Sequence, residues 1–327
     1  MRASTSAARR IALACNSDAG YAPYAATMLF SALRNTPGTQ FTIYYLHDPD
    51  FPETTRDLVR QALACFGTRV EVHFITVPDS LVQGLPLFKT MPQGALRPVM
   101  WYRVFLPQLV PDEPKVLYLD CDTLVVDCLD PLWETAIENK AIAAVTNPIA
   151  NTKKGETPWP LICGLASGED YFNSGVMLMN LDYFRTHDVS RRVVEHGLAN
   201  ADWVRFGDQD SLVILLHSVR VPLHPRWNLL RLIIMTGDAR RLFGQSRVSE
   251  AIRNPAILHF EGTTKPWLDP TQHPYGRAFA RYARQLPWPT MRMSLRLLDI
   301  ENFLTRQDWL RLRRTFRRLR NRLQAMR

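Results

Sequence analysis

Two carboxylates stand two residues apart in Tyr118-Leu119-Asp120-Cys121-Asp122-Thr123-Leu124, directly after the apolar run Lys115-Val116-Leu117-Tyr118-Leu119. In extended chain, residues i and i+2 face the same side, so Asp120 and Asp122 can converge on one hard divalent cation. The plainer reading of such a pair is a turn with two solvated acids. The buried strand that delivers this one points instead to a ligand site, because open α/β sheets bind at the carboxyl ends of their strands. Three further stretches combine polar groups with apolar runs. Tyr171 to Asn180 places Asn173-Ser174-Gly175 before an apolar strand, and Phe206 to Leu212 sets Asp208-Gln209-Asp210 at a helix start. His259 to Trp267 follows another β run and contains Glu261, Gly262 and Lys265. Each alone reads as a turn, a loop or a helix cap.

A phosphatase of the haloacid-dehalogenase type uses a similar pair, the first aspartate acting as nucleophile. Its signature resembles DxDxT, with threonine four after the first acid, whereas here Leu124 holds that place and the threonine is Thr123. That site also usually follows a first strand, and Asp120 follows roughly the fourth.

The elements that must position these groups alternate. Ile11 to Cys15 reads as a strand, Tyr24 to Leu33 as a helix, Phe41 to Leu46 as a strand and Thr54 to Phe66 as a helix. Val70 to Val77 follows as a strand with Val70, Val72 and Phe74 on one face. The βαβαβ order implies a parallel sheet with covering helices. Beyond a loop at 78–98, Val99 to Leu109 reads as a buried helix, and further strands fall at 141–145, 175–179 and 256–260, with helices at 189–203 and 210–217.

Composition narrows the classes. With 327 residues, 46% hydrophobic and 22% charged, the chain can bury a core without disulfides. Cys15, Cys65, Cys121, Cys128 and Cys163 form no CxxC pair, which excludes a zinc ribbon and predicts free thiols in a reducing, cytoplasmic setting. Only four apolar residues separate Arg10 from Cys15, too few for a signal peptide, and no run of about 18 apolar residues could cross a bilayer.

The net charge of +9 is unevenly placed. Residues 306–327 hold nine arginines against Asp308, a local +8, which leaves +1 for the rest. Trp309, Leu312, Phe316, Leu319, Leu323 and Met326 recur at alternating spacings of three and four, one apolar stripe among arginines. A helix lying on an anionic membrane surface has this composition. A dimerising coiled coil would need acids on its flanks, and nucleic-acid binding would need a folded motif that is missing here. The expectation is therefore a peripheral attachment to the inner face of the cell membrane through residues 306–327, and no nucleic-acid partner.

Taken in order, Cys15 to Tyr21, Trp101-Tyr102-Arg103, the Asp120-Cys121-Asp122 stretch, Phe172-Asn173-Ser174-Gly175, Asp208-Gln209-Asp210 and His259-Phe260 through Lys265-Pro266-Trp267 resemble the family 8 glycosyltransferases. These are retaining enzymes of the GT-A fold that include bacterial lipopolysaccharide glucosyl- and galactosyltransferases. The resemblance covers about residues 10 to 268. It implies an α/β, Rossmann-like nucleotide-diphospho-sugar transferase fold with a mixed, mainly parallel sheet and helices on both faces. A catalytic domain would span 1–270 and a basic amphipathic helical region 271–327. The implied activity is transfer of glucose or galactose from a UDP-hexose to a glycan or lipid-linked glycan acceptor.

The resemblance also implies roles. Asp120, Asp122 and His259 would bind Mn²⁺ (or Mg²⁺), a ligand set that suits such an ion better than a structural zinc. Asp18 would accept from the uracil N–H, Tyr21 would stack on the base, and Lys265 with Gly262 would meet the diphosphate. Arg103, Asn173, Ser174, Asp208 and Gln209 would surround the transferred sugar beside Cys121, with Asp208, Gln209 and Lys265 closest to the chemistry. Gln209, an amide, is a poor nucleophile, so a front-face transfer is expected rather than a covalent glycosyl-enzyme. Two positions depart from relatives: Gly20 stands where many carry Asn, with Asn16 a possible replacement contact, and Asn147 stands where some carry Asp. A non-catalytic sugar-nucleotide or lipid-binding module of the same fold is the alternative.

Overall fold

A computed structural model describes residues 9–87, 98–149 and 157–288. The basic stripe at 306–327 lies outside the described residues.

β1 (Arg10–Asn16), β2 (Gln40–His47) and β3 (Val70–Thr76) alternate with helices at Ala22–Asn35 and Glu53–Leu63. β4 (Lys115–Leu119), β6 (Ile142–Thr146), β7 (Phe172–Asn180) and β8 (Arg220–Pro222) complete a seven-stranded sheet in the order β3-β2-β1-β4-β7-β6-β8. The β3–β2, β2–β1, β1–β4 and β6–β8 pairs are parallel, and β7 runs antiparallel to β4 and β6. The expected mainly parallel mixed sheet is thus present. Ile11 to Cys15 and Val116 to Leu119 are wholly buried, which is why both runs carry apolar side chains on every position rather than alternating. β3, at the sheet edge, alternates between exposed Glu71 and His73 and partly buried Val70, Val72 and Phe74.

A smaller sheet joins β5 (Thr123–Val125), β10 (Ile257–His259) and β9 (Leu229–Leu230), of which the sequence showed β10, within the strand expected at 256–260, but not its two partners. β10 runs antiparallel to β5 and parallel to β9, with His259 opposite Thr123 and Leu230. Val99 to Leu109, read as one helix, is a 3₁₀ turn at Pro98–Phe105 followed by a short α-helix at Leu106–Leu109. Pro107 cannot donate the hydrogen bond that would continue a long helix.

The compact unit runs to Trp288. Its last helix, Gly276–Ala283, buries Phe279, Ala280 and Ala283, and Asn35 of the first helix donates to Tyr282 Oη at 2.8 Å. No described helix is long and apolar enough to cross a membrane.

Candidate active site

The acidic pair forms at the junction of the two sheets. The extended-strand geometry expected from the spacing does not hold: Asp120, Cys121 and Asp122 make a turn between β4 and β5. It is closed by Thr123, whose N–H and Oγ1–H both donate to the Asp120 carbonyl. The convergence survives because the partners come to the turn. Asp120 N donates to Gly175 O at 2.7 Å, and Phe260 N donates to Asp122 O at 2.9 Å, so β7 and β10 flank the two acids.

That register brings His259 Nε2 to 3.1 Å from Asp122 Oδ1 and 3.8 Å from Asp120 Oδ2. Among the described residues, ligand atoms of Asp120, Asp122 and His259 lie within 4.8 Å of one another. Two carboxylates and one imidazole suit a borderline divalent ion and leave coordination positions open. The backbone is shaped for the cluster as well. A Cβ at Gly175 would sit 2.3 Å from His259 Cε1 and 2.6 Å from Asp120 Oδ2, so only glycine fits there.

The charges around the cluster are paired. Lys265 Nζ donates to Asp122 Oδ2 at 2.5 Å and to Phe260 O at 2.8 Å. Burial alone would raise the Asp122 carboxyl, yet Lys265 and His259 outweigh it and hold it well below the usual carboxylate range. Arg103, in the buried 3₁₀ turn, gives Nη1 to Asp120 Oδ1 at 2.9 Å and to Ser174 O at 2.8 Å. Its guanidinium lies over the Tyr118 ring, and Tyr118 Oη donates to Asp120 Oδ1 at 2.8 Å. Burial would discharge Arg103, but Asp120 and Asp208 keep it charged.

Asp208 begins the helix Asp208–Leu216 and is fully buried. Its Oδ2 lies 2.9 Å from Arg103 Nε, but that N–H is aimed at Met100 O. Neither oxygen therefore accepts an aligned hydrogen bond among the described residues, and burial pushes this carboxyl up to about 7. Asp210 is the opposite case. Its oxygens accept from Trp159 Nε1, Tyr171 Oη and the backbone N–H groups of Arg205 and Phe206, so it secures the loop that carries its neighbours.

Gln209 is held at both ends. Its Oε1 accepts from Asn173 Nδ2 and Ser174 N, each at 3.1 Å, and its Nε2 donates to Tyr171 Oη at 3.1 Å. Tyr171, Asn228 and Tyr118 take part in this packing although nothing in the sequence singled them out, because each follows from pairing register rather than from motif spacing.

The remaining expected residues line the same end of the sheet. Asp18, partly buried after β1, accepts the Tyr21 N–H at 2.8 Å on Oδ1. Tyr21 is 38% exposed and meets Trp267 edge-on, while Tyr24 stacks on Trp267 at 3.8 Å. Gly262 takes a φ of +78°, and no atom occupies the space a side chain would fill. Cys121 sits partly buried in the acidic turn, and all five cysteines are free thiols. Asn16 is buried, donating to Val99 O with its Oδ1 against the Tyr118 hydroxyl. Asn147 is buried at the end of β6.

The sequence profile described as glycosyl transferase family 8 matches residues 11–271. The chain is 27% identical over 281 residues to General stress protein A of Bacillus subtilis, covering 84% of this chain and 93% of that protein. It is 24% identical to the lipopolysaccharide glucosyltransferase WaaO of Escherichia coli, covering 68% and 63% of the two chains. The crystal structure of the galactosyltransferase LgtC in complex with donor and acceptor sugar analogs superposes with a TM-score of 0.74 at 26% identity, covering 87% of this chain and all of that one. These matches set aside the phosphatase reading of the acidic pair. The chain belongs to glycosyl transferase family 8 and is a glycosyltransferase of the GT-A fold.

Proposed function

We propose that this enzyme transfers a hexose, glucose or galactose, from a UDP-sugar to a surface-glycan acceptor, with retention and with Mn²⁺ or Mg²⁺ held by Asp120, Asp122 and His259. The observation that carries the reading is the convergence of those three ligands with Lys265 at the end of β4. The bound ion would offset the charge that builds on the departing diphosphate. Lys265 would add a second positive charge there, and its raised pKa keeps it protonated because Asp122 outweighs burial. Gly262 would admit the diphosphate close to the backbone. Asp18 and Tyr21 would take the uracil, Tyr21 through its exposed ring. Asp208, with no aligned donor of its own, would accept a sugar hydroxyl in the pocket it shares with Asn173, Ser174 and Arg103.

Gln209 supports a front-face course. Its carbonyl oxygen already accepts from Asn173 Nδ2, Ser174 N and Ser174 Oγ, so few lone-pair directions remain for attack on the sugar, while among the described residues the second N–H of its amide has no such claim. The C1–O bond to the leaving phosphate would break as the acceptor oxygen bonds C1 from the same face, its proton passing to a phosphate oxygen. Lipopolysaccharide or another lipid-linked glycan would be the acceptor, met at the inner face of the membrane with residues 306–327 as anchor.

A panel of UDP-sugars with Mn²⁺ tests this. UDP release should depend on the metal, fall at least a hundredfold in Asp122→Ala, and leave no hexosyl adduct in the enzyme's mass spectrum. Metal-independent binding without UDP release from any donor would favour the non-catalytic sugar-nucleotide module and overturn the enzymatic assignment of these residues.

A further inference from the structure

We propose that Asn228 is a positioning residue that fixes which nitrogen of His259 faces the metal site and, through Asn173, ties that choice to the amide of Gln209. Asn228 ends the 3₁₀ turn Pro225–Asn228 and is wholly buried. A buried amide must find partners. What distinguishes this one is that both its ends meet side chains of the site: Oδ1 lies 2.9 Å from His259 Nδ1, and Nδ2 lies 2.8 Å from Asn173 Oδ1.

The directions of these bonds follow from two backbone groups. An amide's oxygen and nitrogen look alike, and so do the tautomers of a histidine, so only a partner of fixed polarity can assign them. Gly175 N can only donate, and it lies 3.0 Å from Asn173 Oδ1, so that atom is an oxygen. The atom of Asn228 facing it must then be the NH₂ group, which turns Asn228 Oδ1 toward His259. His259 therefore carries a proton on Nδ1, which leaves Nε2 as the nitrogen that would ligate an ion held beside Asp120 and Asp122. On the other side, Ser174 N donates to the same Gln209 oxygen as Asn173 Nδ2, which fixes Gln209 too. Tyr171 Oη accepts from Gln209 and donates to Asp210, which ends the chain on an acceptor-only carboxylate. Two adjacent backbone N–H groups of β7 thus set the polarity of three amides and one imidazole.

Without Asn228, the balance at His259 reverses. Asp122 Oδ1, 3.1 Å from Nε2, would favour a proton on that nitrogen, and a protonated Nε2 cannot ligate. Partners in this outer position commonly change metal affinity by about 10- to 100-fold.

The inference rests on the metal-site reading above, so the test separates the two. Mn²⁺ is titrated into the full chain without donor, free Mn²⁺ being followed by its electron paramagnetic resonance signal. Wild type should bind, Asp122→Ala should not, and Asn228→Leu should bind about 10- to 100-fold more weakly while its thermal unfolding stays cooperative. Asn228→Asp gives a second arm that does not depend on how well the Leu variant folds. Its carboxylate still accepts from Nδ1–H but cannot donate to Asn173, so Mn²⁺ affinity should match wild type or exceed it while kcat for UDP release falls at least tenfold. A wild-type chain that binds no Mn²⁺ overturns the metal-site reading and this inference with it. Binding abolished by Asp122→Ala but equal in wild type and Asn228→Leu overturns the inference alone, as does loss of Mn²⁺ affinity in Asn228→Asp.

Discussion

Asp208 shows what one carboxylate does when burial outweighs its cation. Arg103 stands 2.9 Å away, yet burial, with Asp120 nearby, pushes the group up to about 7. The native state holds this proton more tightly than the unfolded chain, whose carboxyl titrates near its ordinary value of 3.8. Its contribution to stability is therefore fully present below about pH 4 and is lost as pH rises through 7. Asp208→Asn removes that loss. In metal-free protein the variant's Tm advantage over wild type should be small at pH 4, grow between pH 4 and 7 and level off above, with a limit of roughly a few kcal/mol. A difference that does not change over that range would mean that Asp208 is satisfied in the fold. UDP release by the same variant should fall most above about pH 7, where wild type presents a carboxylate and the amide oxygen is the weaker acceptor for a sugar hydroxyl.

At the level of elements, the site depends on where strands meet. Gly175 accepts from Asp120 N just past the β4–β7 ladder and packs against His259 of β10, so Gly175→Ala drives a methyl group into both ligands. Overpacking of this kind costs typically about 1–3 kcal/mol. The expected result is a lower Tm together with Mn²⁺ affinity reduced at least tenfold; a variant with the Tm loss alone would show that the two ligands can move aside without cost. The apolar runs of β1, β4 and β7 were legible because buried strands of this class are continuously hydrophobic, and the acids at the end of β4 were legible because the run stops at them. β5 and β9 were not, since segments of three and two residues carry no periodicity of their own and exist only through pairing with β10, whose run at 256–260 did read as a strand. That small sheet is what carries His259 to the acids. Asn228 was illegible for the same reason: its role appears only when the turn before β9 comes to rest between His259 and Asn173.

For the whole molecule, charge and compactness divide at the same place. The compact unit ends at Trp288, and the arginines Arg292 and Arg296 beyond it are offset by Asp299 and Glu301, so residues 289–327 carry the +8 that 306–327 carry alone. The part with the chemistry is near neutral, and a cut after 288 separates it from nearly all the excess charge. A cut after 270 does something else. It removes the helix that buries Phe279 and Ala283 and the Tyr282 hydroxyl that meets Asn35, opening the surface of the first helix. Residues 1–288 should therefore unfold cooperatively with a Tm within about 3 °C of the full chain, a margin that corresponds to about 2 kcal/mol for a chain this size. Residues 1–270 should be markedly less stable or fail to fold. If the basic stripe is the membrane anchor, the full chain should pellet with anionic vesicles at low salt and be released as salt screens the arginines, while residues 1–288 stay in the supernatant. Both should release UDP at the same rate from a soluble assay, because no described ligand of the site lies beyond Lys265. Equal pelleting of the two chains would move the anchor into the neutral body, and loss of UDP release at 288 would give the basic segment a part in the reaction.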